Sequence, residues 1–134
     1  AHVLKEMYKE KRDDIIQLTK DKGVEVINVG INLETSIECV EIAKEHKNYY
    51  ATIGVHPVDA EEVNDDVFPK LKKLYLENKD VVVGIGETGL DNKYVKDIEK
   101  QKDMFIKHIE LAKELNLPII IHNREAFEEV KPII

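Results

Sequence analysis

Short apolar runs alternate with amphipathic segments along the whole chain. Four runs rich in β-branched residues begin near positions 24, 50, 81 and 118. Such runs are typical of strands that are covered on both faces. Between them, apolar residues recur at helical spacing. The alternation predicts βαβ units, and therefore an α/β fold with a parallel sheet and right-handed crossovers.

Local signals predict where the helices begin and end. A helix is expected over residues 13–22, and either Asn32 or Thr35 is expected to cap the next one. The longest helix is predicted over residues 96–116, where the apolar positions share one face. A final helix is expected to begin near Asn123.

The stretch VVVGIGETGLD at positions 81–91 predicts a buried strand that is followed by carboxylate side chains. Residues 81–85 form the strand, and Gly89 is expected to permit a turn after it. Glu87 and Asp91 then lie where the strand leaves the core. Functional groups of parallel α/β proteins cluster at the carboxyl ends of strands, so both acids are candidate site residues.

A second stretch, at positions 117–122, has the same form. Leu-Pro-Ile-Ile-Ile predicts another buried strand, and it ends in His122. Two successive strands that end in Glu87 and His122 therefore bring a carboxylate and an imidazole to one edge of the sheet. These are groups that bind divalent metal ions.

Two parallel architectures agree with the pattern, a doubly wound sheet and a (β/α)₈ barrel. The chain carries no Gly-rich dinucleotide loop and no P-loop, which weakens the nucleotide-binding version. A complete barrel requires roughly 250 residues. The 134 residues are therefore interpreted as one domain, residues 1–134, that forms about half of a barrel with four to five parallel strands.

The composition limits the classes of protein to which the chain could belong. A hydrophobic share of 43% and a charged share of 35% describe a globular protein, and no apolar run approaches the roughly 20 residues that span a bilayer. The single cysteine, Cys39, permits no intrachain disulfide, so a cytoplasmic location is expected. A net charge of −7 argues against a broad nucleic-acid-binding face, but bound metal ions could supply positive charge locally.

Four motifs together resemble the TatD family of metal-dependent deoxyribonucleases. They are Gly-Val-His-Pro at 54–57, Gly-Glu-Thr-Gly-Leu-Asp at 86–91, the helical pair Gln101 and Phe105, and the stretch from Leu117 to Ala126 that contains His-Asn-Arg-Glu-Ala. The order and spacing of the motifs along the chain agree with the family, and so do the motifs themselves. The resemblance covers essentially the whole chain.

The resemblance implies a TIM-like barrel of the amidohydrolase superfamily. It also implies hydrolysis of phosphodiester bonds in DNA or short oligonucleotides through two divalent ions, with Mg, Mn, Zn and Ni left open. By the same resemblance Glu87 bridges the metals, His122 binds one, and His2 is the second residue of a His-x-His pair. The first histidine of that pair is expected just before Ala1, and a further histidine and aspartate are expected beyond Ile134.

Three further residues have both a functional and a structural interpretation. His56 is a candidate for contacting a substrate phosphate or polarising water, or it is a turn residue. Asp91 either orients a ligand or the Glu87 loop, or it is an ordinary turn or cap residue. Arg124 either pairs with a phosphate or forms an ion pair with Glu125 or Glu128.

Other interpretations remain open at this stage. Lys93, Lys96, Lys100 and Lys102 form a basic cluster that either guides nucleic acid or is a solvated helix face. His46 and His108 lie in helical segments and are given no chemical role. The chain is alternatively another amidohydrolase-superfamily enzyme, or a non-catalytic fragment or interaction module. Self-association through an unpaired sheet edge is possible in each case.

Overall fold

A single parallel sheet organises the protein. The computed structural model describes residues 1–94 and 97–134. Within these ranges the strands β1 (Val26–Val29), β2 (Tyr49–Ile53), β3 (Val82–Asp91) and β4 (Ile119–Arg124) pair in parallel in the order β1-β2-β3-β4. Strands that follow each other in chain order are typical of a barrel, because a doubly wound sheet reverses its order at a switch point. The predicted parallel sheet is confirmed, and its order is that of a half-barrel.

Helices separate the strands, as the alternation predicted. They are α1 (Lys5–Tyr8), α2 (Arg12–Asp21), α3 (Leu33–Glu45), α4 (Val67–Leu76), α5 (Ile98–Leu115) and α6 (Phe127–Val130), with short 3₁₀ segments at Lys9–Lys11 and Pro57–Asp59. None of the helices described is both long enough and apolar enough to cross a membrane. Of the predicted longest helix, Lys96 lies outside the described residues.

Local hydrogen bonds set the start of α3. The backbone N–H of Thr35 donates to Asn32 Oδ1 at 2.8 Å, and the backbone N–H of Asn32 donates to Thr35 Oγ1 at 3.1 Å. This reciprocal pair is a capping box, which satisfies donors that the first helical turn leaves free. Asn32 is therefore the cap, and Thr35 completes it.

The core lies between the sheet and the helices. Alternate residues of β2, Tyr49, Ala51 and Ile53, are buried together with Cys39 and Val40 of α3. Removal of these apolar groups from water is the main stabilising contribution. Burial also raises the pKa of the Cys39 thiol to about 12, so this cysteine stays protonated and unreactive.

The predicted turn at Gly89 is wrong, because β3 continues as a strand to Asp91. Gly89 has a φ of +144°, and a Cβ at this position would lie 2.0 Å from the carbonyl oxygen of His122. The glycine is therefore required by the close approach of β4 and by a backbone conformation that other residues rarely adopt.

The end of the chain also differs from the prediction. β4 extends through Asn123 to Arg124, and α6 begins only at Phe127, so the helix expected near Asn123 starts later. β4 was expected to be buried on both faces, yet Ile120 and Ile121 are each 37% exposed. The reason is its position, since β4 is the last strand of the described sheet. Self-association through this edge stays a prediction.

Candidate metal centre

Glu87 and His122 lie together at the carboxyl end of the sheet. β3 and β4 pair with Gly89 opposite His122, so the Glu87 side chain approaches the histidine from the neighbouring strand. His122 Nδ1 is 3.0 Å from Glu87 Oε1. On the other side of the ring, His122 Nε2 is 2.9 Å from Asp91 Oδ2. The imidazole therefore lies between two carboxylates.

His2 approaches the other oxygen of the same carboxylate. Its Nε2 is 3.2 Å from Glu87 Oε2, and its Nδ1 is 2.9 Å from the backbone oxygen of Val29. The chain at this point runs beside β1, because the backbone N–H of Val29 donates to the oxygen of Ala1 at 2.7 Å. This pairing holds His2 at the same end of the sheet as Glu87.

His56 completes the cluster from the end of β2. Its Nε2 is 3.1 Å from His122 Nδ1, and the two rings meet edge to face with centroids 4.2 Å apart. The backbone N–H of Val58 donates to His56 Nδ1 at 3.1 Å. His56 is thus both a turn residue and a member of the cluster.

The hydrogen-bond partners constrain the proton on each ring. Each nitrogen of His2 and of His122 faces an oxygen acceptor: Nδ1 of His2 faces the Val29 oxygen, Nε2 of His122 faces Asp91, and the other nitrogen of each ring faces Glu87. A metal ion held between these rings and Glu87 would require the protons on His2 Nδ1 and His122 Nε2, which leaves lone pairs on His2 Nε2 and His122 Nδ1. His56 is the reverse case, because its Nδ1 accepts from Val58 and the proton of the neutral ring lies on Nε2.

The pKa shifts of the cluster come from burial and from hydrogen bonds in which a protonated imidazole donates to Glu87. Hydrogen bonding from His2, and then from His122, outweighs burial and lowers the pKa of Glu87 to about 2. The bond to Glu87 correspondingly raises the pKa of His2 against the effect of burial. Burial, with the neighbouring His122, lowers the pKa of His56, which favours its neutral form. Glu87 is therefore a carboxylate throughout the physiological pH range.

Both carboxylate oxygens of Asp91 have hydrogen-bond partners. Its Oδ1 accepts from the backbone N–H groups of Lys93 at 2.9 Å and Tyr94 at 3.2 Å, while Oδ2 faces His122. Burial opposes the charge, but these bonds outweigh it and lower the pKa of Asp91. Asp91 thus caps a turn and contacts the His122 ring, while its orienting of a metal ligand stays a prediction.

Two buried polar residues of α5 support the cluster. Gln101 clamps the backbone of Asp91, accepting from its N–H at 2.7 Å and donating to its oxygen at 3.1 Å. His108 Nε2 accepts from the backbone N–H of Val55, next to His56, at 3.0 Å. The sequence pattern predicted no role for His108 and only a place in a motif for Gln101. The sequence did contain a signal for their roles, because both polar residues lie on the apolar face of the longest helix.

Arg124 does not form the predicted ion pair with Glu125 or Glu128 in the part of the chain that the structure describes. Its guanidinium carbon instead lies 4.7 Å from the centroid of the Tyr94 ring, and Lys93 Nζ lies 5.6 Å from the same centroid. Tyr94 was not singled out in the sequence. Of the predicted basic cluster, Lys102 pairs with Glu99 and Lys96 is not among the described residues.

The cluster opens into a cavity of about 410 Å³. Its lining combines the charged and imidazole groups with apolar side chains: His2, Met7, Ile31, His56, Val58, Asp59, Glu87 and His122. A larger groove, of about 1020 Å³, lies between the N-terminal helices and α3, and it is lined mostly by charged residues. In that groove Arg12 pairs with Glu38 at 2.6 Å and with Asp13 at 3.2 Å.

The donor set suits a divalent cation. His56, Glu87 and His122 each offer one possible ligand atom, and these atoms lie within 4.8 Å of one another. His2 adds a fourth group beside Glu87. Imidazole nitrogen and carboxylate oxygen are common ligands of divalent metals, and a carboxylate approached on both oxygens can bridge two ions. The residues present therefore fit the metal that the resemblance implies.

Comparison with known proteins identifies the family. The family model described as TatD related DNase matches residues 1–134. The chain belongs to the TatD family. This confirms the resemblance found in the motifs, and it agrees with the half-barrel arrangement of the strands.

Individual TatD-family relatives support the assignment. The chain is 42% identical over 138 residues to the uncharacterized metal-dependent hydrolase YabD of Bacillus subtilis, covering 100% of this chain and 52% of that protein. It is 36% identical over 126 residues to the 3'-5' ssDNA/RNA exonuclease TatD of Pantoea ananatis, covering 92% of this chain and 48% of the relative. The chain thus spans about half the length of the curated relatives it matches.

Solved structures give the same fold. The crystal structure of YjjV, a TatD homolog from Escherichia coli K12, superposes with a TM-score of 0.80 at 25% identity, over 92% of this chain and 49% of that chain. A TatD-family hydrolase from Entamoeba histolytica gives a TM-score of 0.76. The chain is therefore built as part of a TatD-type barrel in a family of metal-dependent hydrolases. The non-catalytic interpretation and that of a different amidohydrolase are not favoured.

Proposed function

We propose that this TatD-family chain carries part of the active site of a metal-dependent phosphodiesterase that cleaves DNA or short oligonucleotides through two divalent cations. The observation that carries the proposal is the Glu87 carboxylate, since one of its oxygens lies 3.2 Å from His2 Nε2 and the other 3.0 Å from His122 Nδ1. A carboxylate between two such nitrogens is suited to bridging two metal ions. It is also kept ionised by its neighbours.

Each imidazole would serve a different ion. His122 Nδ1 lies on the Oε1 side of Glu87 and His2 Nε2 lies on the Oε2 side, so each pairs with one carboxylate oxygen. Asp91 holds His122 through Nε2, and the Val29 carbonyl holds His2 through Nδ1. Such outer partners fix the tautomer and orientation of a ligating histidine.

His56 has a different role in this proposal. Because its Nδ1 accepts from Val58, its Nε2–H is a donor directed at the centre of the cluster. That proton is placed to bond to a phosphate oxygen or to the attacking water. Arg124, beyond His122 on β4, supplies a positive charge for a neighbouring phosphate.

His2, Glu87 and His122 would hold the two cations, which would supply polarisation of a phosphoryl oxygen and a lowered pKa of the attacking water. Glu87 supplies negative charge, Asp91 and the Val29 carbonyl fix the orientation of His122 and His2, and His56 supplies a proton. The exonuclease named among the relatives acts on single-stranded DNA and RNA, which supports a nucleic-acid substrate here. The free, buried Cys39 supports the further proposal of a cytoplasmic location.

The test combines metal binding with hydrolysis. Glu87→Gln removes the negative charge and one ligand oxygen with little change in shape, while Glu110→Gln makes the same change on the exposed surface of α5. Binding of Mn²⁺, Zn²⁺, Ni²⁺ and Mg²⁺ is measured by calorimetry, and cleavage of a labelled single-stranded oligonucleotide is followed with each metal.

We expect Glu87→Gln to weaken metal binding by more than the roughly 10–100-fold seen when an outer partner of a ligand is removed, and to abolish cleavage. Glu110→Gln should match the unaltered chain in both measurements. Equal metal affinity and equal cleavage in Glu87→Gln would remove Glu87 from the mechanism.

A further inference from the structure

An exposed aromatic ring lies beside the candidate metal centre, with two cations around it. Tyr94 is 63% exposed. The Arg124 guanidinium stacks on it at 4.7 Å, and Lys93 Nζ is 5.6 Å from the ring centroid. We call Lys93, Tyr94 and Arg124 the stacking patch.

The stacking patch is tied to the residues of the cluster by backbone contacts. The N–H groups of Lys93 and Tyr94 both donate to Asp91 Oδ1, whose other oxygen contacts His122. Arg124 lies opposite Asp91 in the register of β3 and β4, and its oxygen accepts from the N–H of Asn92 at 3.0 Å. The position of the patch is therefore fixed relative to the metal centre.

The distance between the two sites is short. His122 and Arg124 are alternate residues of β4, so their side chains project from the same face of the strand, roughly 7 Å apart along it. A chain-like ligand held by the cluster would therefore be within reach of the patch.

The chemistry of the patch is that of a single-strand nucleic-acid contact. Proteins bind unpaired nucleotides by combining an aromatic ring, on which a base stacks, with cations that contact the backbone. Arg124 has no carboxylate within 4.0 Å among residues 1–94 and 97–134, so its charge is available to an anion. The patch is positive although the chain as a whole carries −7, which places the attraction for phosphate beside the cluster.

We propose that the stacking patch binds one unpaired nucleotide of a single-stranded nucleic acid next to the metal centre. The base stacks on Tyr94, and the adjoining phosphate pairs with Arg124. The inference rests on the proposed function, because it assigns Tyr94 a role in holding the substrate of that site. It favours a single strand over a duplex, since a base that is stacked inside a duplex offers no free face to Tyr94.

The test measures binding without cleavage. A fluorescein-labelled oligothymidylate is titrated with the chain in EDTA, and affinity is read from fluorescence anisotropy over a series of salt concentrations. Tyr94→Ala should weaken binding by about five-fold to a hundred-fold, whereas Tyr94→Phe should retain it, because stacking needs the ring and not the hydroxyl. Arg124→Ala should reduce the slope of log affinity against log salt by about 0.7.

Two matched variants serve as controls. Phe127→Ala removes a ring of similar exposure, 60%, and Lys47→Ala removes an exposed cation at the opposite end of the sheet. Both should bind the oligonucleotide as the unaltered chain does. Far-ultraviolet circular dichroism verifies that each variant is folded.

Several results overturn the inference. One is no measurable binding of the oligonucleotide by the unaltered chain. Others are unchanged affinity in Tyr94→Ala, an equal loss in Phe127→Ala, or equally tight binding of a duplex of the same length. The outcome is separate from that of the proposed function, because Glu87→Gln tests metal binding and cleavage while this titration contains no metal.

Discussion

The buried histidine of α5 makes the stability of the fold depend on pH. His108 is completely buried, and its ring lies edge to face with Phe68 at 5.0 Å between centroids. Its Nδ1–H donates to the oxygen of Met104 at 2.7 Å and its Nε2 accepts from Val55. Both nitrogens are therefore satisfied only when the ring is neutral. Burial lowers the pKa of His108 from 6.5 to about 4.

The sign of the effect follows from proton binding. Between pH 6.5 and about 4 the unfolded chain binds a proton at His108 that the folded chain does not, so the free energy of unfolding falls as the pH falls. The slope reaches at most about 1.4 kcal/mol per pH unit. The whole pKa difference corresponds to about 3 kcal/mol at pH 4, which is a large share of the stability of a domain.

His108→Gln isolates this contribution. A glutamine amide can accept from the Val55 N–H and donate to the Met104 oxygen, but it does not titrate. Urea unfolding, followed by circular dichroism at pH 7, 5.5 and 4, gives the free energy of unfolding for both chains. Effects of the other acids are common to both and cancel in the difference.

We expect the unaltered chain to lose about 3 kcal/mol more than His108→Gln between pH 7 and pH 4. The two should differ little in their pH dependence above pH 7, where the histidine is neutral in both states. Parallel stability curves for the two chains across this range would refute the reasoning, since they would mean that His108 takes up its proton equally in the folded and unfolded states.

Two further substitutions test the geometry of the cluster. Gly89→Ala brings a Cβ against the His122 oxygen, so we expect the free energy of unfolding, measured in urea, to fall by more than about 3 kcal/mol. The control Gly23→Ala should lower it by about 1 kcal/mol, because nothing lies within 4 Å of that position. Equal losses in the two variants would contradict the close approach of β4 to Gly89. Gln101→Leu leaves the buried N–H and C=O of Asp91 unpaired, at about 1–3 kcal/mol each, and should weaken metal binding by about 10-fold or more in calorimetry. Unchanged metal affinity in Gln101→Leu would show that Asp91 keeps its position without the hydrogen bonds to Gln101.

Much of the architecture was predictable because it depends on local patterns. β-branched runs and helical spacing predicted the strands and helices, and Asn32 and Thr35 predicted the start of α3. The placement of Glu87 and His122 at strand ends predicted that they meet, because the carboxyl ends of parallel strands lie at one edge of a sheet. The motifs around these residues carried the family assignment.

Other features were not predictable because they depend on contacts between distant segments. Gly89 resembles a turn residue locally, and only the proximity of β4 explains why it lies within a strand. The exposure of Ile120 and Ile121 follows from the position of β4 in the sheet, not from its composition. The pairing of Arg124 with Tyr94, in place of a nearby glutamate, likewise depends on how the end of β3 meets the end of β4.

The sequence by itself therefore determined the order of strands and helices, the family, and the meeting of Glu87 and His122 at the carboxyl end of the sheet, although each strand continues beyond these residues. Only the tertiary structure decided the roles of the individual nitrogen and oxygen atoms. The reason is physical: which imidazole nitrogen of His2, His56 or His122 carries the proton depends on a partner that lies far away in the chain or on a backbone group in a folded turn. Periodicity and motif spacing specify which residues meet, whereas hydrogen bonding in the folded chain specifies which atoms face each other.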